Sequence, residues 1–189
     1  VKPKDEKKLQ AIFDATITLT GQEGIVGLTM SKIAKTAKIG IGTLYVYFES
    51  KEELVNELYR QLKSKGTLSM IDDLKQLPVK LQLMEIWKNT LHYQVENHAQ
   101  MLFMEQFLNS PFISEESRGL SHRFMEYLGE LLKKGQEQMI IKQADEGILM
   151  SLLTGYSRQL SSQLAATKAP LTEQIINESF AVCWDAIKS

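Results

Sequence analysis

Along nearly the whole chain the inward-type residues return every three or four positions, a period that builds helices and little else. Between about 4 and 23 these positions are Leu9, Ile12, Ala15, Thr16 and Leu19, with Gly24 as a stop. Met30, Ile33, Ala34 and Ala37 then fall at i, i+3, i+4 and i+7 behind Thr29 as cap, so a short helix follows with Lys32 and Lys35 on its other face. Lys38-Ile39-Gly40 makes a tight break, for which Gly40 supplies the conformational freedom. Residues 41–48 have the length of a third short helix, about 12 Å, with Leu44 and Phe48 pointing inward. Ser50 followed three residues later by Glu53 is a capping box, and it opens a fourth helix through Leu54, Leu58 and Leu62 to about residue 65. Only 4 Pro and 11 Gly interrupt the 189 residues, and the spacing predicts further helices over about 79–97, 99–108, 115–139, 144–167 and 172–188. The expected fold class is all-α.

Charge narrows the partners. With 22 basic against 23 acidic residues the net charge is −1, so any surface for nucleic acid must be local. Residues 1–51 hold 8 lysines against 5 acidic residues, which puts the positive end at the N-terminus. The lone Cys183 has no partner for an internal disulfide and suits a reducing cytoplasm. No apolar run is long enough to span a membrane, and the opening Val-Lys-Pro-Lys reads as a soluble, trimmed or engineered start. With 3 His, no Glu-x-x-His, no zinc spacing, no phosphate-binding Gly loop and no Gly-x-Ser-x-Gly elbow, neither a metal, a cofactor nor an enzyme is expected.

Two short helices joined by a glycine-containing turn are the sequence form of a helix-turn-helix, here at about 29–48. Laid in a DNA major groove, the second helix brings Ile41, Gly42 and Thr43 to the base edges, while Thr43, Tyr45, Tyr47 and Lys51 reach phosphates. A helix of this length cannot bury Leu44, Tyr45, Tyr47 and Phe48 on one face, so at least one tyrosine stays exposed.

Leu28-Thr29-Met30-Ser31-Lys32-Ile33-Ala34, followed by Ile39-Gly40-Ile41-Gly42-Thr43-Leu44-Tyr45-Val46-Tyr47-Phe48-Glu49-Ser50-Lys51-Glu52-Glu53-Leu54, resembles the tetracycline-repressor (TetR) family over roughly the first third of the chain. The resemblance implies a dimeric regulator: an N-terminal three-helix DNA-binding head, and a larger C-terminal helical domain for ligand binding and dimerisation. The boundary is expected as 1–51 and 52–189. It also implies that Thr29 caps onto a phosphate and that Met30 and Ser31 lie where the helix start approaches DNA. Ile41, Gly42, Thr43 and Tyr45 match the recognition-helix contacts, and Tyr47 and Lys51 the flanking phosphate contacts. Many members carry Ser at the position of Gly40 and a polar or basic reader at that of Ile41. Here Ile41 and Thr43 against thymine methyls, DNA shape, and the basic arm Lys2, Lys4, Lys7 and Lys8 take a larger share.

Farther on, Met and aromatic residues concentrate between Leu83 and Phe112, ordinarily as core. A ligand site is expected from Trp87, Tyr93, Phe103 and Phe107, with Glu96 or Glu105 favouring a lipophilic cation. The last two helices carry more apolar surface than one core needs, and their small residues suit a two-fold interface between protomers. The expected function is therefore a homodimeric DNA-binding regulator, a repressor that binds a palindromic double-stranded operator and is released by a small-molecule inducer. The alternative is a helical small-molecule-binding protein or enzyme keeping the helix-turn-helix as scaffold.

Overall fold

The computed structural model describes residues 5–71, 74–120 and 122–189. In chain order its helices are α1 (Glu6–Glu23), α2 (Met30–Thr36), α3 (Ile41–Tyr47), α4 (Lys51–Ile71), α5 (Val79–Glu96), α6 (His98–Leu108), α7 (Glu115–Gly119), α8 (His122–Glu137), α9 (Glu146–Thr167) and α10 (Glu173–Ile187), with a 3-10 turn at Leu74–Gln76. Among the described residues no strand forms, and an isolated antiparallel bridge joins Ile141 to Lys188. The fold is all-α. Two compact units interleave along the chain: Val1–Ser64 with Ala99–Leu120, and Lys65–His98 with Ser121–Ser189. Packing thus adds residues 52–64 and 99–120 to the part of the chain that precedes the single boundary expected after Lys51.

In the first unit α1 starts at Asp5, whose carboxylate accepts from the backbone N–H of Lys7 and Lys8 at 3.0 and 3.4 Å. It stops at Gly24, where φ is 76°, a left-handed value that a side chain would strain. Ile12, Phe13, Ile33, Leu44, Phe48, Leu54, Leu58 and Tyr59 form the core, each contributing about 1.5–3 kcal/mol by burial. Thr16 and Thr20 lie among them because each hydroxyl donates to the carbonyl one turn back, Ile12 and Thr16 respectively, both at 2.8 Å. They pack as small apolar residues. From the later segment Phe103 and Phe107 enter the same core, with Phe107 4.9 Å from Tyr59 between ring centroids. Polar bonds fasten that segment. Gln106 accepts from the N–H of Ile25 at 2.9 Å, and Asn56 of α4 donates to the carbonyl of Phe112 at 2.7 Å.

Three local expectations change. The left-handed residue of the helix-turn-helix turn is Lys38, at φ 55°, whereas Gly40 has ordinary extended backbone as the cap of α3, and a Cβ there meets nothing closer than 3.7 Å. The turn therefore does not need Gly40. The span 115–139 is not one helix: α7 starts at its cap Ser114 and ends at Gly119, where the Leu120 N–H turns back to the Ser117 carbonyl at 3.3 Å. The fourth helix runs on to Ile71 rather than stopping near 65.

In the second unit α5 packs with α8, α9 and α10 around Leu83, Ile86, Trp87, Leu91, Leu132, Leu149, Leu153, Ile176, Phe180 and Cys183. α9 and α10 begin at Asp145 and Thr172, whose side chains accept from the N–H groups of Ile148 and Ile175, both at 3.2 Å. Gly135 on α8 leaves room for Ile141 and Val79, whose carbons already stand where a Cβ would go. Most of the apolar surface of the last two helices is consumed inside this unit. Ile148 and Val182 are the large apolar residues of α9 and α10 that stay exposed, 64% and 63%.

Candidate nucleic-acid interface

The short length of α3 divides its side chains sharply. Leu44 and Tyr47 turn into the first-unit core with Phe48 at the end of the helix, so Ile41, Gly42, Tyr45 and Val46 face outward, and Thr43 is half-buried between the two sets. Tyr45 is the exposed tyrosine that the helix length demands, at 53%, and Val46 is more exposed still, at 75%. Beside them α2 offers Ser31, Lys32, Lys35 and Thr36, with Thr29 and Lys38 at its two ends, all exposed. The exposed groups of α3 are thus small and apolar, and those on and just after α2, which packs against α3, include three lysines. Lys32 is ion-paired to Glu23.

Thr29, Ser31, Ile41, Gly42 and Tyr45 are all exposed. Thr29 also caps α2, its hydroxyl accepting from the N–H of Lys32 at 3.3 Å. Met30 is a core residue, 9% exposed, so its side chain is not available at the surface as expected of a DNA contact. Tyr47 is 6% exposed, and its hydroxyl both accepts from the N–H of Asp5 at 2.9 Å and donates to the Asp5 carbonyl at 3.3 Å. The residue that ends α3 thereby anchors the start of α1. Lys51 stands 4.1 Å above the Phe112 ring and donates to the Val26 carbonyl at 3.5 Å. Of the basic arm, Lys7 and Lys8 are exposed on the first turn of α1, while Lys2 and Lys4 lie outside the described residues. Sequence reasoning missed Lys38 and Val46; the position of Val46 one turn beyond Gly42 on a seven-residue helix was the available signal.

The residues expected for a ligand divide between the two units. Trp87, Tyr93 and Glu96 belong to the second, and Phe103, Glu105 and Phe107 to the first. Phe103 and Phe107 are fully buried, stacked at 5.9 Å between centroids. Glu96 and Glu105 are both exposed, which removes the buried carboxylate that a preference for cations requires. Around Trp87 the second unit is polar in an unexpected way: the indole N–H donates to Ser179 at 3.0 Å, Tyr156 lies 5.4 Å away, and one and two turns along α5 the Thr90 hydroxyl and the Gln94 carbonyl oxygen are buried without a hydrogen-bond partner. Burial also raises the phenol pKa of Tyr93. Among the described residues no group of three or more His, Cys, Asp or Glu is arranged to hold a metal ion, and no helix is long and apolar enough to cross a membrane.

Comparison with known proteins agrees with this geometry. Residues 12–58 match the family model described as bacterial regulatory proteins, tetR family, and residues 78–188 match the tetracyclin repressor-like C-terminal domain. An uncharacterized HTH-type transcriptional regulator of Haemophilus influenzae is 25% identical over 181 residues, 95% of each chain. A fatty acid metabolism regulator protein of Bacillus subtilis is 33% identical over 76 residues, 40% of this chain and 39% of its own. The crystal structure of a TetR family transcription regulator from Marinobacter aquaeolei superposes with a TM-score of 0.86 at 20% identity, covering 100% of both chains. With family models covering both the helix-turn-helix and the larger part of the remaining chain, this protein belongs to the TetR family of helix-turn-helix transcriptional regulators, which act by binding DNA and are not enzymes.

Proposed function

We propose that this regulator is a cytoplasmic repressor that binds a palindromic operator as a homodimer and leaves it when a small-molecule inducer binds. In this reading residues 1–51 carry the DNA contacts, and residues 52–189 carry ligand binding and dimerisation. The observation that carries it is the outward surface of α2 and α3, where lysines flank a face whose large side chains are left out of the core. One seven-residue helix reads few bases, so a two-fold pair that adds the energies of two half-sites is the economical design. Ile148 and Val182, with the open Gly155 and the exposed Ala181, support a close approach of α9 and α10 to a second copy. The buried unpaired oxygens of Thr90 and Gln94, one and two turns along α5 from Trp87, support an uncharged inducer that brings a hydrogen-bond donor and an apolar body. An acyl compound is the first class to try, since a relative is named for fatty acid metabolism. An inducer that prefers the released form by about 1.4 kcal/mol lowers operator affinity about tenfold, through a movement of α4 that respaces the two heads.

Salt-dependent binding to DNA from upstream of its own gene tests the reading. Removing Lys35 and Lys38 together should lower affinity and flatten the dependence of log K on log salt by about 0.9 for each phosphate that is no longer neutralised. Lys51→Ala should weaken binding as well, whereas Tyr47→Phe, which serves as the control, should leave the salt slope unchanged, because that hydroxyl is turned to Asp5 and not to a phosphate. Unchanged affinity and slope in all of the lysine variants would falsify the assignment of the DNA surface, and a strictly monomeric protein in sedimentation would end the two-fold reading.

A further inference from the structure

The outward face of α3 has little with which to form hydrogen bonds to a base edge. Its exposed residues are Ile41, Gly42, Tyr45 and Val46, so the phenol hydroxyl of Tyr45 is the one polar side-chain atom on that face, and Thr43 is half-buried. No amide, carboxylate or guanidinium stands on the helix. Residues 41, 42, 45 and 46 share one side of a helix, so the two branched side chains and the tyrosine ring form a continuous apolar ridge. The exposed Lys35 and Lys38 supply positive charge beside it, which suits a ridge pressed toward a polyanion rather than toward another protein's apolar core.

In the major groove of DNA only thymine presents an apolar group, its 5-methyl; guanine, cytosine and adenine present donors and acceptors alone. An apolar ridge placed over those three leaves their edges unpaired with nothing gained, whereas over thymine, whose O4 acceptor also stays without a partner from the ridge, it buries methyl against methyl. Resting on the DNA-binding reading above, we infer that this regulator selects its operator through thymine methyls gripped by Ile41 and Val46, with Tyr45 closing the ridge. Val46 and Ile41 are then specificity residues. Neither is needed by the core, since Val46 is 75% and Ile41 45% exposed.

Deoxyuridine pairs as thymidine does and lacks only the methyl, so it isolates the claim. Duplexes are first selected by the full-length chain from a random pool. Affinity is then measured for the selected duplex with thymidine or with deoxyuridine at each position in turn. At the gripped positions, removal of one methyl should weaken binding about fourfold, with no change of salt slope, because no phosphate is affected. Ile41→Ala and Val46→Ala should each bring the thymidine-to-uridine ratio at one position close to one. If the ratio is one everywhere in the wild-type protein while the selected duplex still binds tightly, the methyl reading is wrong and the DNA-binding reading stands. If the ratio is large but neither variant reduces it, the methyl reading is equally wrong. If no duplex is enriched at all, the DNA-binding reading falls first.

Discussion

The carboxamide oxygen of Asn56 on α4 accepts from the hydroxyl of Ser117 on α7 at 2.7 Å, across 61 positions of sequence. The same oxygen accepts from the N–H of Ser114 at 3.0 Å, and the amide nitrogen donates to the carbonyls of Glu52 and Phe112 at 2.8 and 2.7 Å. Every hydrogen-bonding valence of a nearly buried side chain is used, so this one residue ties α4 to the chain from Phe112 to Ser117.

Asn56→Leu strands a carbonyl, an N–H and a hydroxyl together, and should cost about 3 kcal/mol or more. Ser117→Ala alone should cost about 1 kcal/mol. The double variant should be hardly worse than Asn56→Leu, because the second loss is already contained in the first. Urea unfolding checks all three, and full additivity would rule out the network.

Gly135→Ala drives a methyl to 2.8 Å from the Ile141 Cγ1 and 3.2 Å from the Val79 Cγ1, inside normal van der Waals distance. Overpacking costs about 1–3 kcal/mol, more than the roughly 1 kcal/mol that alanine adds to a helix. Thermal melts should show a lower Tm. Ile141→Val, which removes the terminal carbon standing in the way, should recover part of the loss when combined with Gly135→Ala.

Thr90→Val and Gln94→Leu each remove an oxygen that is buried without a partner, and the amide of Gln94 reaches Ser157 only at 3.5 Å. Both variants should be as stable as the parent or gain up to about 1 kcal/mol, seen as a rise in Tm of about 2–4 °C. A loss of about 2 kcal/mol or more in either would show that these oxygens are satisfied in solution.

Burial lifts the thiol pKa of Cys183 from its ordinary 9.0 to about 11. The folded state holds this proton more tightly than the unfolded one, so the stability it brings is complete below about pH 9 and is lost as pH rises toward 11. The loss is on the order of 2 kcal/mol. Urea midpoints between about pH 8 and 11 should fall for the parent and fall less for Cys183→Ala. Alkylation at about pH 8 should be slow until the protein is unfolded.

How much of this is legible beforehand depends on the range of the interactions. Stops and caps at Gly24, Thr29 and Ser50 are legible because each acts within four residues. The inward faces of α1, α2 and the first half of α4 follow from period alone. The left-handed turn at Lys38 is not legible, because a glycine two residues away is the more obvious candidate. The hold of Asn56 on the start of α7 and the burial of Phe103 and Phe107 against Tyr59 depend on packing between segments over forty positions apart, which no local pattern encodes. At the candidate DNA surface, period turns Leu44 inward, but the burial of Tyr47, with its hydroxyl on Asp5, and the exposure of Val46 come only from the tertiary structure.

Because residues 99–120 complete the core around Tyr59, the natural unit of exchange for this regulator is discontinuous. A chimaera that grafts residues 1–64 onto a foreign sensor leaves behind the two phenylalanines and the glutamine that finish the graft, and exposes Tyr59, Leu58 and Leu54 to whatever it meets. Designers who wish to transplant its operator preference must carry both pieces, or rebuild the missing wedge.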